Sequence, residues 1–145
     1  MKIFRKDRES SNGGGVFIAV SDKYIFSHQP QLETECELLW IKLETTGNKS
    51  TCIGAFYRPH ENDVNSLENL NSSLNRLKNT NSNIYIAGDF NLPGIDWDLG
   101  ISKFHSIFKS QHDLFLDILN DHNLCQIVKE PTRGSNILDL FLTNI

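Results

Sequence analysis

Asn83-Ile84-Tyr85-Ile86-Ala87-Gly88-Asp89-Phe90-Asn91-Leu92-Pro93-Gly94 is the stretch from which the fold is read. Ile84 to Ala87 form an uncharged run rich in β-formers, which predicts a strand buried on both faces and ending at Gly88. Asp89 and Asn91 flank Phe90; if strand geometry persists, their side chains share one face while Phe90 anchors the tip from the other. Pro93-Gly94 then turns the chain away. Open α/β sheets and layered sandwiches carry catalytic groups at such strand ends, so the carboxylate and the carboxamide are candidate functional residues. The same letters also fit a strand followed by an Asx-turn.

Upstream of this stretch, Val64, Leu67, Leu70, Leu74 and Leu77 recur every three or four residues. That period predicts a helix over roughly Val64 to Leu77, capped by Asn62 or Asp63, with the asparagines on its wet face. Leu38 to Leu43 and Cys52 to Tyr57 read as two strands of a hairpin whose turn contains Thr-Thr-Gly-Asn. Tyr57 falls at a strand end, where its ring packs and its hydroxyl stays polar. Gly13-Gly14-Gly15 leads into a strand over Val16 to Val20. No Gly-Lys-Ser/Thr and no helix follow those glycines, which argues against a nucleotide-binding loop.

Downstream, Asp96-Trp97-Asp98 reads as a turn with an aromatic plug in preference to a metal-binding pair. Ser110-Gln111-His112-Asp113 predicts the cap of a second helix, whose apolar face is Leu114, Phe115, Ile118 and Leu119. His105, His112 and His122 have no ligand spacing and read as surface residues. Cys125 to Val128 and Asn136 to Leu142 read as strands around a Pro131-Thr132-Arg133-Gly134 turn. Asp139 interrupts the last of these, and a carboxylate in a buried strand requires a partner or a proton.

The length of 145 residues predicts one domain, and 39% hydrophobic with 22% charged residues is an ordinary globular balance. A net charge of −4 does not advertise a nucleic-acid surface, although a divalent ion among carboxylates supplies the charge a phosphate needs. Three widely spaced cysteines suggest neither a disulfide framework nor a zinc ribbon. With no membrane-length apolar run and no signal-peptide pattern, the expectation is a soluble intracellular protein.

Gly88-Asp89-Phe90-Asn91 resembles the signature of the endonuclease/exonuclease/phosphatase superfamily of metal-dependent phosphodiesterases. Tyr57-Arg58-Pro59, Pro131-Thr132-Arg133 and Ile137-Leu138-Asp139-Leu140 are similar to further family motifs, in the same order. Together with Gly94-Ile95-Asp96-Trp97 and Gly13-Gly14-Gly15-Val16, the pattern resembles the endonuclease domain of jockey-like non-LTR retrotransposons. The resemblance implies an α/β (α+β) fold, a partial four-layered α/β sandwich of the DNase I-like type, occupying residues 1–145 as a single partial domain. The family's metal-binding Glu strands and its Ser-Asp-His segment have no match here.

By the same resemblance, Asp89 orients or deprotonates the attacking water and Asn91 holds the water or the phosphate. Tyr57 contacts the phosphate, Thr132 braces the network, and Asp139 aligns a histidine. Arg133 is either a DNA-phosphate contact or a surface arginine, and His60 either a phosphate contact or a solvent-facing loop residue. The implied activity is Mg²⁺-dependent nicking of DNA, expected to be weak or absent in this chain because the metal-binding Glu and the Ser-Asp-His histidine are both lacking, with no metal ligand assigned to any of its residues. A small-molecule phosphoesterase and a non-catalytic binding module are the alternatives. A nuclear location is compatible with the resemblance.

Overall fold

The computed structural model describes residues 1–8, 14–47 and 49–145. Gly13 and Asn48, read above as parts of a glycine run and a turn, lie outside the described residues. The strands and α-helices in chain order are β1 (Lys2–Lys6), β2 (Val16–Val20), β3 (Phe26–His28), β4 (Glu37–Leu43), β5 (Thr51–Tyr57), α1 (Val64–Leu77), β6 (Asn83–Asp89), β7 (Ile95–Asp96), β8 (Ile101–Ser102), α2 (Lys109–Asp121), β9 (Cys125–Gln126) and β10 (Asp139–Thr143), with a short 3-10 turn over Pro30–Leu32 between β3 and β4. Six of the strands form one mixed sheet in the order β3-β4-β5-β6-β10-β9, in which β5 and β6 are parallel and the other pairs antiparallel.

The β5-α1-β6 crossover that makes this parallel pair follows from the sequence period. Asp63 caps α1 by accepting from the Ser66 amide, and Leu67, Leu70, Leu74 and Leu77 bury the face the spacing marks out. They pack with Phe115, Ile118 and Leu119 of α2 onto Leu38, Trp40, Phe56, Ile84, Ile86, Leu140 and Leu142 of the sheet. Trp40, fully buried, donates its indole N–H to Ser73 Oγ of α1 at 2.7 Å.

The second face of the sheet is covered differently. The β1–β2 hairpin packs Phe4 and Val20 against Leu39 and Ile41, with Ile53 at its margin. It leaves the β6–β10 side more open: Ala87 is exposed and Tyr85 half-buried. The expectation that Ile84 to Ala87 is buried on both faces is therefore corrected, because helices cover one face and a single hairpin covers part of the other. Helices, main sheet and hairpin form three successive layers, consistent with a DNase I-like α/β fold.

Two further expectations change, and β1 adds a strand that the sequence reading lacked. β1 was hidden by its charges, since only Phe4 of its five residues is buried. α2 begins at Lys109 after Phe108, with no side-chain cap, and Asp113 instead accepts from Ser102 Oγ and Lys109 Nζ. His112 and His122 are buried, not on the surface. His112 Nε2 accepts the Gly94 N–H at 2.9 Å, and its Nδ1 lies 2.6 Å from the Phe108 carbonyl oxygen. His122 Nε2 lies 2.8 Å from Asn71 Oδ1, and burial pushes its pKa down. Among the described residues no helix is long and apolar enough to cross a membrane.

Candidate active site at the end of the parallel strand pair

Tyr57 closes β5 and Asp89 closes β6, and the parallel register sets them side by side. Asp139, the first residue of β10, stands opposite Asp89 in the antiparallel register, and Glu37 of β4 stands opposite Tyr57. Neighbours in register share a face of a sheet, so Glu37, Tyr57, Asp89 and Asp139 form one row on the face that carries the β1–β2 hairpin. Helix packing fixes the strands, and the strand ends thereby fix the row.

Gly88 makes the last step of β6 possible. It adopts φ +153°, and a Cβ built there would lie 1.7 Å from the Phe56 carbonyl oxygen. Only glycine lets β6 approach β5 this closely, one residue before Asp89. Strand geometry then ends at once. Phe90 is fully buried and packs at a tilt against Phe56 and Phe115, with centroid separations of 4.7 and 5.2 Å. Asn91 turns left-handed at φ 51°, its N–H donating to Asp89 Oδ1 at 2.9 Å and its Nδ2 to the Pro59 carbonyl oxygen at 3.2 Å. The shared-face expectation for Asp89 and Asn91 is corrected: an Asx-turn brings the two together in place of strand alternation.

Thr132 Oγ1 accepts the amides of Leu138 and Asp139 at 2.9 and 3.0 Å, so it sets the start of β10. Arg133 Nη2 reaches to 3.6 Å from Asp89 Oδ2. Asp139 is exposed, contrary to the buried-strand expectation, because β10 begins with it. His60 is exposed on the loop after Pro59. Asp96 Oδ1 accepts the amides of Asp98 and Leu99, which makes that segment the turn expected of it.

Partial burial, and then the neighbouring Asp139 charge, push the Asp89 pKa up; the Asn91 amide and Arg133 offset this in part. Two carboxylates facing each other would accept a cation, and Mg²⁺ is usually held by one or two protein carboxylates plus substrate oxygens. Asp89 and Asp139 are two such carboxylates, paired in register across β6 and β10. Among the described residues no cluster of three or more acidic, His or Cys side chains forms a closed one.

Arg58 is the residue that motif reading overlooked. Its guanidinium, fully buried, donates from Nε to the Asp63 carbonyl at 2.8 Å and from Nη2 to Glu61 at 2.7 Å and to Gln111 Oε1. Nη1 donates to the carbonyls of Phe90 and Asn91 at 3.3 and 3.0 Å, and the Arg58 amide donates to Asp89 at 2.9 Å. One arginine thus holds three consecutive carbonyls of the Asp89 turn and ties them to both helices. Arg is seldom fully buried, so the only sequence signal was its place inside Tyr57-Arg58-Pro59.

Comparison with known proteins follows the same lines. No curated protein matches the sequence. The endonuclease domain of TRAS1, a telomere-specific non-LTR retrotransposon, superposes with a TM-score of 0.64 at 12% identity, over 98% of this chain and 66% of that one. A functionally unknown conserved protein from Enterococcus faecalis V583 gives 0.58 at 14% identity, over 98% of this chain and 64% of that one. At such identities these likenesses concern the fold, and the chain spans about two thirds of each structure's length. The sequence pattern described as endonuclease-reverse transcriptase matches residues 51–145, from the start of β5 through the whole Tyr57, Asp89 and Asp139 row. By that match the chain belongs to the endonuclease-reverse transcriptase family.

Proposed function

We propose that the chain hydrolyses phosphodiester bonds of DNA, as a nicking endonuclease of the retrotransposon type. The observation that carries this reading is the row of Tyr57, Asp89 and Asp139 on three adjacent strand ends. Phosphodiester hydrolysis needs an oriented water, charge neutralisation at the phosphoryl oxygens and a stabilised leaving group. Asp89 is the base, set at the tip of β6 beside Tyr57 and Asp139, where burial pushes its pKa up and makes it a better proton acceptor than an ordinary carboxylate. Asn91, held by the Pro59 carbonyl, positions water or phosphate with its carboxamide.

The Tyr57 hydroxyl donates to a phosphoryl oxygen, Thr132 keeps Asp139 in place, and Arg133 adds positive charge beside Asp89. His60, one residue beyond the Pro59 carbonyl that Asn91 engages, contacts a phosphate farther along the strand. Mg²⁺ would be held by Asp89 and Asp139 together with substrate oxygens, and when bound it would neutralise phosphoryl charge. Exposure of Asp139, Thr132 and Arg133 favours an extended polymer over a small phosphoester enclosed in a pocket.

The test is nicking of supercoiled plasmid by the purified chain with and without Mg²⁺, beside Asp89→Ala. Slow, Mg²⁺-dependent nicking that the variant lacks is the expected result. Equal nicking by both proteins, or none by either at high enzyme concentration, would overturn the assignment.

A further inference from the structure

The row continues past Tyr57 to Glu37, a residue to which no role has been assigned. Glu37 is engaged from the hairpin side. Arg8 donates from Nε to Glu37 Oε1 at 3.2 Å and from Nη2 to Oε2 at 2.9 Å, and the Gly15 amide donates to Oε1 at 2.8 Å. Arg8 Cζ lies 5.8 Å from the centroid of the Tyr57 ring. Gly14 and Gly15 are both left-handed, at φ +87° and +102°, and a Cβ on Gly14 would stand 2.5 Å from Arg8 Cζ, so the Gly14 backbone lies directly against the guanidinium. The side chains of Arg8 and Glu37 keep 27% and 15% of their exposure, so the pair is half-sheltered yet still reached by solvent.

Two guanidinium groups therefore bracket the row, Arg133 beside Asp89 and Arg8 beside Tyr57. We propose that Arg8 binds a phosphate flanking the one that is cleaved, and that Glu37 is the positioning residue that aims it. The inference rests on the phosphodiesterase reading above and extends it to a second phosphate subsite. Adjacent strands are about 4.8 Å apart, so the Tyr57–Glu37 corner lies roughly 5–10 Å from Asp89. At about 3.4 Å of rise per nucleotide, that is one to three nucleotides along a strand. A planar, permanently charged fork suits a phosphate, and a carboxylate on one edge restricts its rotation. A clamp joining hairpin to sheet would need the ion pair, but not its placement against the phenol of the row.

Binding of a fluorescein-labelled 20-base-pair duplex, followed by anisotropy in Ca²⁺ across a salt series, separates these roles. Arg8→Gln is expected to weaken binding several-fold to about tenfold at low salt and to flatten the salt slope by about one phosphate contact. Arg8→Lys should keep the slope and lose affinity, and Glu37→Gln should fall between the two. An unchanged slope in a folded Arg8→Gln protein would reduce the pair to a structural clamp. Should Arg8→Gln unfold, phenylglyoxal mapping of the unaltered protein decides: DNA should protect both Arg8 and Arg133 and spare Arg76. Protection of Arg133 alone overturns the Arg8 assignment and leaves the endonuclease reading standing. Absence of any DNA binding overturns that reading itself.

Discussion

Each end of β6 is polar, but the two ends spend their polar groups differently. At the Asn83 end the groups satisfy one another. Ser82 Oγ lies 2.7 Å from Ser50 Oγ and 2.8 Å from Thr80 Oγ1, while Asn144 accepts the Ile84 amide at 2.7 Å and donates to the Ser82 carbonyl at 3.0 Å. All these partners are neutral and the network is closed. At the Asp89 end two carboxylates face each other, an asparagine is held left-handed, and burial raises a carboxyl pKa. Strain and a charge that its neighbours only partly offset sit where substrate would arrive, and complete hydrogen bonding sits where the strand is merely anchored.

The largest effect expected from breaking this contrast is at Gly88. Gly88→Ala drives a methyl group into the Phe56 carbonyl, so it should destabilise by about 3 kcal/mol or more and remove nicking, as read by urea unfolding and plasmid assay. Arg58→Met comes next. It leaves the carbonyls of Glu61, Asp63, Phe90 and Asn91 without their donor, and a loss of roughly 3 kcal/mol is expected in the same unfolding experiment. Asn144→Ala, at the opposite end, should cost about 1–2 kcal/mol and leave the nicking rate at the parent value below its melting temperature.

The smallest effect has the opposite sign. A carboxyl whose folded pKa is raised favours the fold when protonated, and that contribution is lost as pH rises through the raised value. Above that raised value Asp89 carries its charge where burial disfavours it. Asp89→Asn should raise the melting temperature slightly at pH 7, with the gain vanishing below about pH 4, the unfolded carboxyl range. A lower melting temperature at pH 7 would mean that Arg133 more than offsets the burial cost.

How much of this could be read from letters alone depends on the range of the interaction. The bounds of α1 were legible because a helix writes its period locally and Asp63 stands next to its own first turn. The β4–β5 pair and the Asp89 tip were legible for the same reason, from β-rich runs ended by turn residues. Arg58 and His112 were not, because the carbonyls of Phe90 and Asn91 and the amide of Gly94 come from segments distant in the chain. The Glu37–Tyr57 adjacency needs a strand register that no local pattern encodes. Ala87 misled for a related reason: an apolar run reports that a strand can be covered on both faces, not that it is.

Combining substitutions within the row tests the central claim most directly. Plasmid nicking should be measured for Asp89→Ala, Tyr57→Phe and the double variant, with Asn144→Ala as the far-end control. A row acting as one unit predicts losses on the order of 10²- to 10⁴-fold for Asp89→Ala, a double variant little worse than that, and a control at the parent rate. Losses in the control equal to those in the row, or full activity after Asp89→Ala, would contradict it.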